Sequence, residues 1–344
     1  MQALITGGAG FIGSNLARRL LEAGHEVTLL DDASRPGARR NLESLSALGD
    51  TRLHVVEADV RDVRAVRHAV SGTDVVFHLA AQVAVTTSLL DPVGDFDVNL
   101  RGTLNVLEAI RSRPDGERPA VLFTSTNKVY GRIEDVPVVE QAQRYAYAGG
   151  TDGIGEGQRL DFHSPYGCSK GAADQYVREY ARVYGLRTVV FRMSCIYGPR
   201  QWGTEDQGWV AHFLISAALG RPITVYGDGK QVRDVLFIDD LLDACLRAVG
   251  KIDSVAGEVF NIGGGPENTL SLLELLEWLE RRLARPVARS FAAWRPGDQR
   301  VYVSDISRAR ERLGWAPRVT VASGLERLWQ WVDDHRGLFA EAAA

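Results

Sequence analysis

Short apolar runs alternate with amphipathic stretches over the first part of the chain. The apolar runs lie at residues 3–6, 27–30, 53–57, 74–79, 120–124 and 186–192. Between them, apolar side chains recur at the spacing of a helix face, as Leu16, Leu20 and Leu21 do, and another helix is predicted to begin at Asn99. Strands that alternate with helices are typical of a parallel, doubly wound α/β sheet, and this is the fold class that the pattern predicts.

The pattern changes after Pro199. Residues 200–232 are rich in Gly, Trp and polar side chains. Residues 235–238 and 259–262 again indicate strands, and we expect both to return to the first sheet. A helix is predicted over 270–285, within a smaller C-terminal lobe.

A glycine-rich turn follows the first predicted strand. Gly7, Gly10 and Gly13 separate this strand from the first helix, and such glycines let the backbone approach a pyrophosphate held at the helix N-terminus. Asp31 ends the second strand, where a carboxylate binds the ribose hydroxyls of NAD and disfavours a 2′-phosphate. This order of elements predicts a Rossmann dinucleotide-binding fold with NAD as cofactor. NADP stays open as an alternative because arginines follow closely, at positions 35, 39 and 40.

These patterns divide the chain into two predicted parts. The first is a Rossmann domain over residues 1–195, joined by the returning segment 233–262, which we expect to bind the dinucleotide. The second is a smaller α/β lobe over 196–232 and 263–344, which we expect to bind the substrate. In doubly wound sheets ligands bind beyond the carboxyl ends of the strands, so the two parts should meet there.

The composition argues against several classes of partner. A net charge of −4 gives no support for binding to nucleic acid or to an anionic membrane, and no apolar run is long enough to span a bilayer. The chain starts directly in a predicted strand, without the pattern of a signal peptide. Its three cysteines are widely spaced and lack metal-ligand spacing, which indicates free thiols in a reducing compartment. We therefore expect a cytoplasmic protein without a metal.

Tyr166 and Lys170 are the candidate reactive pair. They lie four residues apart on a predicted helix, so their polar ends share one face. A tyrosine with a pKa of about 10 is a poor base at neutral pH, but a nearby ammonium favours its ionised form. Such a pair can take the proton of a sugar hydroxyl while a nicotinamide takes the hydride. A long irregular insertion is predicted directly before the pair, over 141–163, where we expect it to help bind a ligand.

The motifs as a set resemble a known family, the extended short-chain dehydrogenases/reductases, and within it the NAD-dependent nucleotide-sugar epimerases and dehydratases. The resemblance covers nearly the whole chain and includes Asn261-Ile-Gly-Gly and the 295–298 motif in the C-terminal half. It implies that Thr126, Tyr166 and Lys170 are catalytic. The cofactor contacts that it implies are Gly7, Gly10, Phe11, Ile12, Gly13, Asp31, Asp59, Val60, Ala80, Ala81, Gln82, Asn99, Thr124, Tyr166 and Lys170.

By this resemblance, Tyr166 deprotonates a sugar hydroxyl, Lys170 lowers the pKa of the tyrosine, and Thr126 holds the reacting oxygen. Dehydratases of the family have an Asp-Glu pair directly after this threonine, whereas this chain has Asn127 and Lys128. Because neither side chain can readily help to eliminate water, epimerisation is favoured over dehydration. The runs around these residues and around Cys195 resemble the subgroup that inverts C2 of CDP-sugars by transient oxidation to a 2-keto sugar.

The resemblance also implies a nucleotide-sugar site, with a CDP-sugar favoured. Arginine suits the geometry of phosphate, and an acid near it would bind a ribose hydroxyl. The predicted substrate contacts are Asn127, His163, Cys195, Tyr226, Arg233, Arg295 and Asp298. Trp202, Trp209 and His212 are instead interpreted as structural or interface residues.

Two other functions stay open from the sequence. A 4-epimerase acting on a UDP- or GDP-sugar would use the same scaffold, and a catalytically silent dinucleotide-binding protein would keep the fold alone. The complete set of Thr126, Tyr166 and Lys170 argues against the silent protein. Helices near 100–113 and 166–185 are expected to form the interface of a homodimer or homotetramer, as is usual in the family.

Overall fold

The computed structural model describes residues 1–35, 37–295 and 297–341. Pro296, inside the 295–298 motif, and the last three residues of the predicted C-terminal lobe lie outside the described residues.

Strands and helices alternate along the described chain. In chain order the strands are β1 (Gln2–Thr6), β2 (Glu26–Asp31), β3 (Leu53–Glu57), β4 (Val75–His78), β5 (Ala120–Thr126), β6 (Val138–Glu140), β7 (Tyr145–Tyr147), β8 (Thr188–Met193), β9 (Cys195–Tyr197), β10 (Ile223–Tyr226), β11 (Val232–Phe237), β12 (Glu258–Ile262), β13 (Thr269–Ser271), β14 (Arg289–Ala292) and β15 (Val301–Tyr302). The α-helices are α1 (Phe11–Glu22), α2 (Ala38–Ser46), α3 (Val63–Val70), α4 (Val85–Leu90), α5 (Pro92–Phe96), α6 (Gly102–Arg111), α7 (Ser164–Tyr184), α8 (Trp209–Ala218), α9 (Ile238–Gly250), α10 (Ile252–Val255), α11 (Leu272–Leu283), α12 (Ser307–Leu313), α13 (Val321–Asp334) and α14 (Arg336–Glu341).

Seven parallel strands form the main sheet, in the order β12-β8-β5-β4-β1-β2-β3. The chain moves outward from β1 in one direction to β3 and then in the other direction to β12. The reversal of direction lies between β1 and β4, and ligands of doubly wound sheets bind beside such a switch point. The predicted fold class is therefore confirmed.

Each face of the main sheet is covered by helices. Ile5 belongs to the core that includes Leu16 and Leu20 of α1, whereas its neighbour Leu4 belongs to the core that includes Val66 of α3 and Val106 of α6. This division follows from the strand, where successive side chains point to opposite faces. Burying one such leucine or isoleucine stabilises the fold by roughly 1.5–3 kcal/mol, so the two cores hold the strand ends rigidly.

The predicted return of two strands to the main sheet is correct for only one of them. β12 pairs with β8 at the edge of that sheet. β11 instead lies in a second sheet, where it pairs in parallel with β9 and β15 and antiparallel with β13. Because its neighbours occupy both edges of β11, no edge is left for the main sheet. β10 and β14 form a further parallel pair.

Two local predictions also differ from the structure. The insertion at 141–163 is not irregular throughout, because β7 lies within it and pairs antiparallel with β6 as a hairpin. Asn99 does not begin a helix. It lies in a π-helical turn over Asp97–Arg101 that joins α5 to α6, because the helix already starts after Asp91, whose carboxylate accepts a bond of 2.9 Å from the Gly94 amide.

In the described part of the chain, every helix is either too short or too polar to cross a membrane.

Candidate active site

Two clefts meet at Tyr166. The first has a volume of about 450 Å³ and lies beyond the carboxyl ends of the central strands. It is lined by every predicted cofactor residue except Asn99. The second has a volume of about 290 Å³ and is lined by every predicted substrate residue except His163. Because Tyr166 lines both clefts, a group bound in one can react with a group bound in the other.

The glycine turn shapes the floor of the first cleft. Gly7 has a φ of +70°, and a Cβ there would lie 2.7 Å from the Ala80 amide nitrogen. A Cβ on Gly13 would overlap the carbonyl oxygen of Gly7. Helix α1 begins after Gly10 without a side-chain cap, so its first backbone N–H groups are available to an anion. Larger residues at Gly7 and Gly13 would therefore clash with the backbone around them, so this tight turn requires glycine at both positions.

Asp31 stands at the end of β2 with its carboxylate fixed. It accepts hydrogen bonds from the Ala9 amide (2.9 Å) and the Ala33 amide (2.8 Å). Burial raises the pKa of Asp31, although these two amides oppose the rise. Each carboxylate oxygen can accept a further bond, so Asp31 can still bind hydroxyl groups. Of the nearby arginines, Arg35 lines the cleft, whereas Arg39 pairs with Glu57 at 3.1 Å.

Asn99 supports the first cleft from behind. It is 1% exposed, and its side-chain oxygen accepts a bond of 2.9 Å from the Gln82 amide. Its side-chain nitrogen donates to Ser169 and to Asp95. The π-helical turn directs Asn99 at the loop after β4, behind the cleft lining, and its predicted contact with the cofactor stays a prediction. Asp95 was not predicted as a site residue, because its partner Ser169 is distant along the chain and no local pattern indicates their contact.

Tyr166 and Lys170 project from α7 into the first cleft and are almost fully buried, at 8% and 3% exposed. Thr126, which ends β5, lies beside the Tyr166 phenol, where its hydroxyl can donate a hydrogen bond to the phenolate form. Burial raises the pKa of Tyr166 to about 12, and the Thr126 bond opposes that rise. Burial lowers the pKa of Lys170 to about 7, while Asp174 and Asp95 oppose the change.

The expected lowering of the tyrosine pKa by Lys170 is not found. The Lys170 ammonium donates a bond of 2.7 Å to the Thr124 carbonyl and lies 4.3 Å from the centre of the Phe123 ring. It is thus turned toward the end of β5, and desolvation dominates the pKa of the phenol.

Cations and acids alternate in the second cleft. Arg233 is bonded to Asp298, and Lys128 lies 3.7 Å from the same carboxylate. Burial alone would raise the pKa of Asp298, but the charges of Arg233 and Lys128 hold it below its usual value. Lys128 follows Thr126 closely, and its amide donates to the Thr126 hydroxyl at 3.2 Å. The cations therefore begin directly beside the reactive pair.

The far end of the second cleft is a set of residues around the Tyr226 ring. The Tyr226 hydroxyl donates to Glu205 at 2.7 Å, and the Arg295 guanidinium lies 4.0 Å from the ring centre. Arg295 also donates to the Glu205 carbonyl at 2.8 Å and lies 3.5 Å from Asp206.

Three predictions about the second cleft need correction. His163 lines neither cleft, because its ring turns to Asp161, with 2.9 Å between the two side chains. Trp209 and His212, interpreted above as structural or interface residues, line the cleft at the start of α8. Trp209 donates to the Cys195 thiol at 3.4 Å, which explains why these two elements meet. Trp202 does pack in the core, against Phe339.

The first cleft fits a dinucleotide. Its glycine turn offers backbone amides to two phosphates, Asp31 offers a carboxylate to a ribose, and Ala80 and Ala81 leave room for a flat ring. The Ser125 hydroxyl lines this cleft and has no hydrogen-bond partner among the described residues. No group of acids, histidines and cysteines in the described chain is arranged to hold a metal ion.

This fold and site define an enzyme that binds a nicotinamide dinucleotide beside a buried tyrosine. The sequence matches the NAD dependent epimerase/dehydratase family over residues 3–263, and the chain belongs to that family. NAD is accordingly its cofactor, which confirms the predictions of family and cofactor.

Named relatives and solved structures agree with this assignment. The chain is 44% identical over 338 residues to the CDP-paratose 2-epimerase of Salmonella typhi, with 96% of this chain and 99% of that protein covered. It is 36% identical to a UDP-glucose 4-epimerase of Mycolicibacterium smegmatis, with 95% and 97% covered. The structure of the dTDP-glucose 4,6-dehydratase of Streptomyces venezuelae, solved with NAD bound, matches with a TM-score of 0.84 and 30% identity over 99% of this chain and 100% of that one.

Proposed function

We propose that the protein inverts C2 of a CDP-hexose, either CDP-paratose to CDP-tyvelose or CDP-glucose to CDP-mannose, by transient oxidation with NAD. The observation on which the proposal depends is that Tyr166 stands beside Thr126 without an acid partner. The next two residues, Asn127 and Lys128, line the second cleft, and neither is an acid. The relative that acts at C2 of a CDP-sugar is 44% identical over nearly the whole chain.

The remaining acids of the second cleft are poor proton donors. Asp298 is paired with Arg233, and Asp206 is paired with Arg295. The hydrogen bond from Tyr226 is the main reason why the pKa of Glu205 lies below its usual value. The carboxyl groups of Asp298 and Glu205 are therefore expected to be ionised at neutral pH. Elimination of water needs a proton donor at the leaving hydroxyl. Epimerisation needs only one residue that accepts the hydroxyl proton and later returns it.

The roles of the chain's own residues follow from their positions. Tyr166 accepts the proton of the sugar hydroxyl, and Thr126 donates a hydrogen bond to the same oxygen as it becomes a carbonyl. When bound, NAD supplies the hydride acceptor for oxidation and the hydride donor for its reversal, and its oxidised ring adds positive charge beside the phenol. Lys170 holds its ammonium at the end of β5, where a nicotinamide ribose would lie. Tyr166 then returns the proton once the 2-keto sugar has rotated and presents its other face.

The proposal keeps the two parts of the chain, each with the binding function that we expect from the sequence. The segment 1–195, together with 233–262, holds NAD, and the lobe built from 196–232 and 263–344 holds the nucleotide sugar with help from residues of the first part. Asn127, Cys195, Tyr226, Arg233, Arg295 and Asp298 contact that substrate. A cytoplasmic location belongs to the same proposal, since all three cysteines are free thiols.

Assembly into a homodimer or homotetramer is part of the proposal too. Apolar side chains are exposed on α4 and α5 at Leu90 (88%) and Val93 (69%), and on the nearby α7 at Val183 (58%). On α6, Val106, Leu107, Ala109 and Ile110 are instead buried within the chain, and Leu104 is half-buried. We therefore place the interface on α4, α5 and α7, and not on the helix near 100–113.

The test is an NMR time course of purified protein with CDP-paratose, and separately with CDP-glucose, in deuterated water without added cofactor. Inversion at C2 without deuterium is expected, because the hydride stays on the bound cofactor. Deuterium at C2 would contradict the hydride mechanism, and inversion of a UDP-sugar at C4 instead would establish the alternative epimerase.

Tyr166→Phe should abolish turnover while NAD stays bound; a fully active variant would rule out the role given to Tyr166.

A further inference from the structure

The second cleft changes character along its length. The contacts lead from Thr126 to Lys128, then to Asp298 and Arg233. Beyond Arg233 they reach the residues around the Tyr226 ring. A nucleotide sugar likewise consists of a sugar, a diphosphate and a nucleoside base, in this order. With the sugar at Tyr166 and the diphosphate at Lys128 and Arg233, the base lies at the far end.

The far end offers acceptors of hydrogen bonds. Glu205 is a carboxylate, which can only accept, and it already orients itself on the Tyr226 and Thr224 hydroxyls. The Arg295 guanidinium, the cation at this end, donates to the Glu205 carbonyl and lies beside Asp206. The acceptor capacity left on the Glu205 carboxylate is therefore open to a ligand.

A second, independent acceptor belongs to a residue that lines the same cleft. Gln231 is 3% exposed and lines the cleft beside Arg233. Its side-chain nitrogen donates to the Tyr226 carbonyl at 2.6 Å, whereas its side-chain oxygen has no partner among the described residues. A buried acceptor without a partner costs free energy, so this end of the cleft is built for a ligand that brings N–H or O–H donors.

Cytosine differs from uracil and thymine at this edge of the ring. Its C4 position is an amine, which donates, whereas uracil and thymine have a C4 carbonyl, which accepts. A carboxylate accepts from the amine and repels the carbonyl. We propose that Glu205 selects a cytidine nucleotide by accepting a hydrogen bond from the exocyclic amine of the base, while Gln231 accepts from the ribose.

This inference rests on the proposed function, because it assumes a nucleotide sugar in the second cleft. It also assigns the base preference to a single side chain. Tyr226 is a positioning residue here, since its hydroxyl holds Glu205 and its ring is covered by Arg295.

The experiment measures binding of CDP and UDP to the NAD-loaded protein by titration calorimetry. The wild-type protein should bind CDP about tenfold or more tightly than UDP, as expected for one well-placed contact to a base edge. Glu205→Gln should reduce that ratio to near one, because an amide offers both a donor and an acceptor. Asp206→Asn removes the same charge from the neighbouring residue but leaves the Glu205–Tyr226 bond, so it should keep the wild-type ratio.

The outcomes separate this inference from the proposed function. Equal affinity of the wild-type protein for CDP and UDP, or an unchanged ratio in Glu205→Gln, would overturn the selection by Glu205. If Asp206→Asn reduced the ratio of the CDP and UDP affinities as much as Glu205→Gln does, the inference would also be overturned. Net charge, and not the contact with Glu205, would then determine the base preference. A normal CDP preference without turnover of any nucleotide sugar would instead refute the proposed reaction and leave the base selection standing.

Discussion

Burial determines the proton affinities of the two reactive side chains. Tyr166 is held above its ordinary pKa and Lys170 below its own, because each would be charged in a place shielded from water. The proton that the pair loses first comes from Lys170 at a pKa of about 7. The phenolate–ammonium form and the phenol–amine form have each lost one proton. The population of the phenolate–ammonium form therefore rises with pH up to this pKa and stays constant above it.

The pH dependence of activity tests this coupling. For the wild-type enzyme, kcat/KM should rise about tenfold per pH unit below pH 7 and then level off, since the reactive form belongs to the singly deprotonated pair. In Lys170→Met the phenol alone must ionise, and its pKa is about 12. The residual activity should therefore keep rising through pH 9. Steady-state rates from pH 5.5 to 9.5 with NAD saturating measure both profiles, and a wild-type plateau in Lys170→Met would refute the coupling.

At the scale of elements, α7 joins the catalytic pair to the main sheet. Asp174, one turn after Lys170, forms a two-point ion pair with Arg192 of β8 through bonds of 2.9 Å and 3.0 Å. Both side chains are almost completely buried, and Arg192 also donates to the Tyr130 hydroxyl at 3.2 Å. This pair fixes the rotation of α7 against the sheet, and with it the direction of Tyr166.

Breaking that ion pair should be costly. Arg192→Met leaves the Asp174 charge buried without a partner, so the free energy of unfolding should fall by about 3–5 kcal/mol. The double variant Arg192→Met/Asp174→Asn removes both charges and should recover part of the loss. Urea denaturation followed by circular dichroism measures both values. An equal loss in the single and double variants would show that packing, and not the unpaired charge, is responsible.

At the scale of the whole molecule, one surface is unusually apolar. Leu89, Leu90, Val93 and Phe96 of α4 and α5 are exposed, and these helices pack against α7. Exposed apolar side chains that lie close together indicate a protein interface. Because α7 also holds Tyr166 and Lys170, assembly through this surface would stiffen the helix that positions the reactive pair.

A charge at the centre of this surface should prevent assembly. Leu90→Glu is expected to be a monomer in sedimentation velocity experiments at micromolar concentration, because a carboxylate would be buried in the interface without a partner. Leu48→Glu changes an exposed leucine elsewhere, after α2, and should keep the wild-type sedimentation coefficient. If Leu90→Glu sediments like the wild type, the interface lies on another surface.

The sequence by itself determined the main sheet and the cofactor, and it predicted the reactive pair. These depend on local patterns, namely apolar runs, a glycine turn and two residues one helical turn apart, whose physical consequences act over a few positions. The cofactor residues that the family resemblance implied line the first cleft, with one exception. Asn99 lies behind that cleft because a π-helical turn and a cap at Asp91 decide its direction.

Only the tertiary structure decided the second cleft and the proton affinities. Glu205 meets Tyr226, and Lys128 meets Asp298, across long stretches of sequence. His163 turned away because Asp161 was the nearer partner. Likewise, the pKa of Tyr166 depends on how much water the folded chain excludes from it, a quantity that no spacing of residues reveals. Contacts between distant segments and the loss of solvent exist only once the chain has folded, which is why the sequence alone could not supply them.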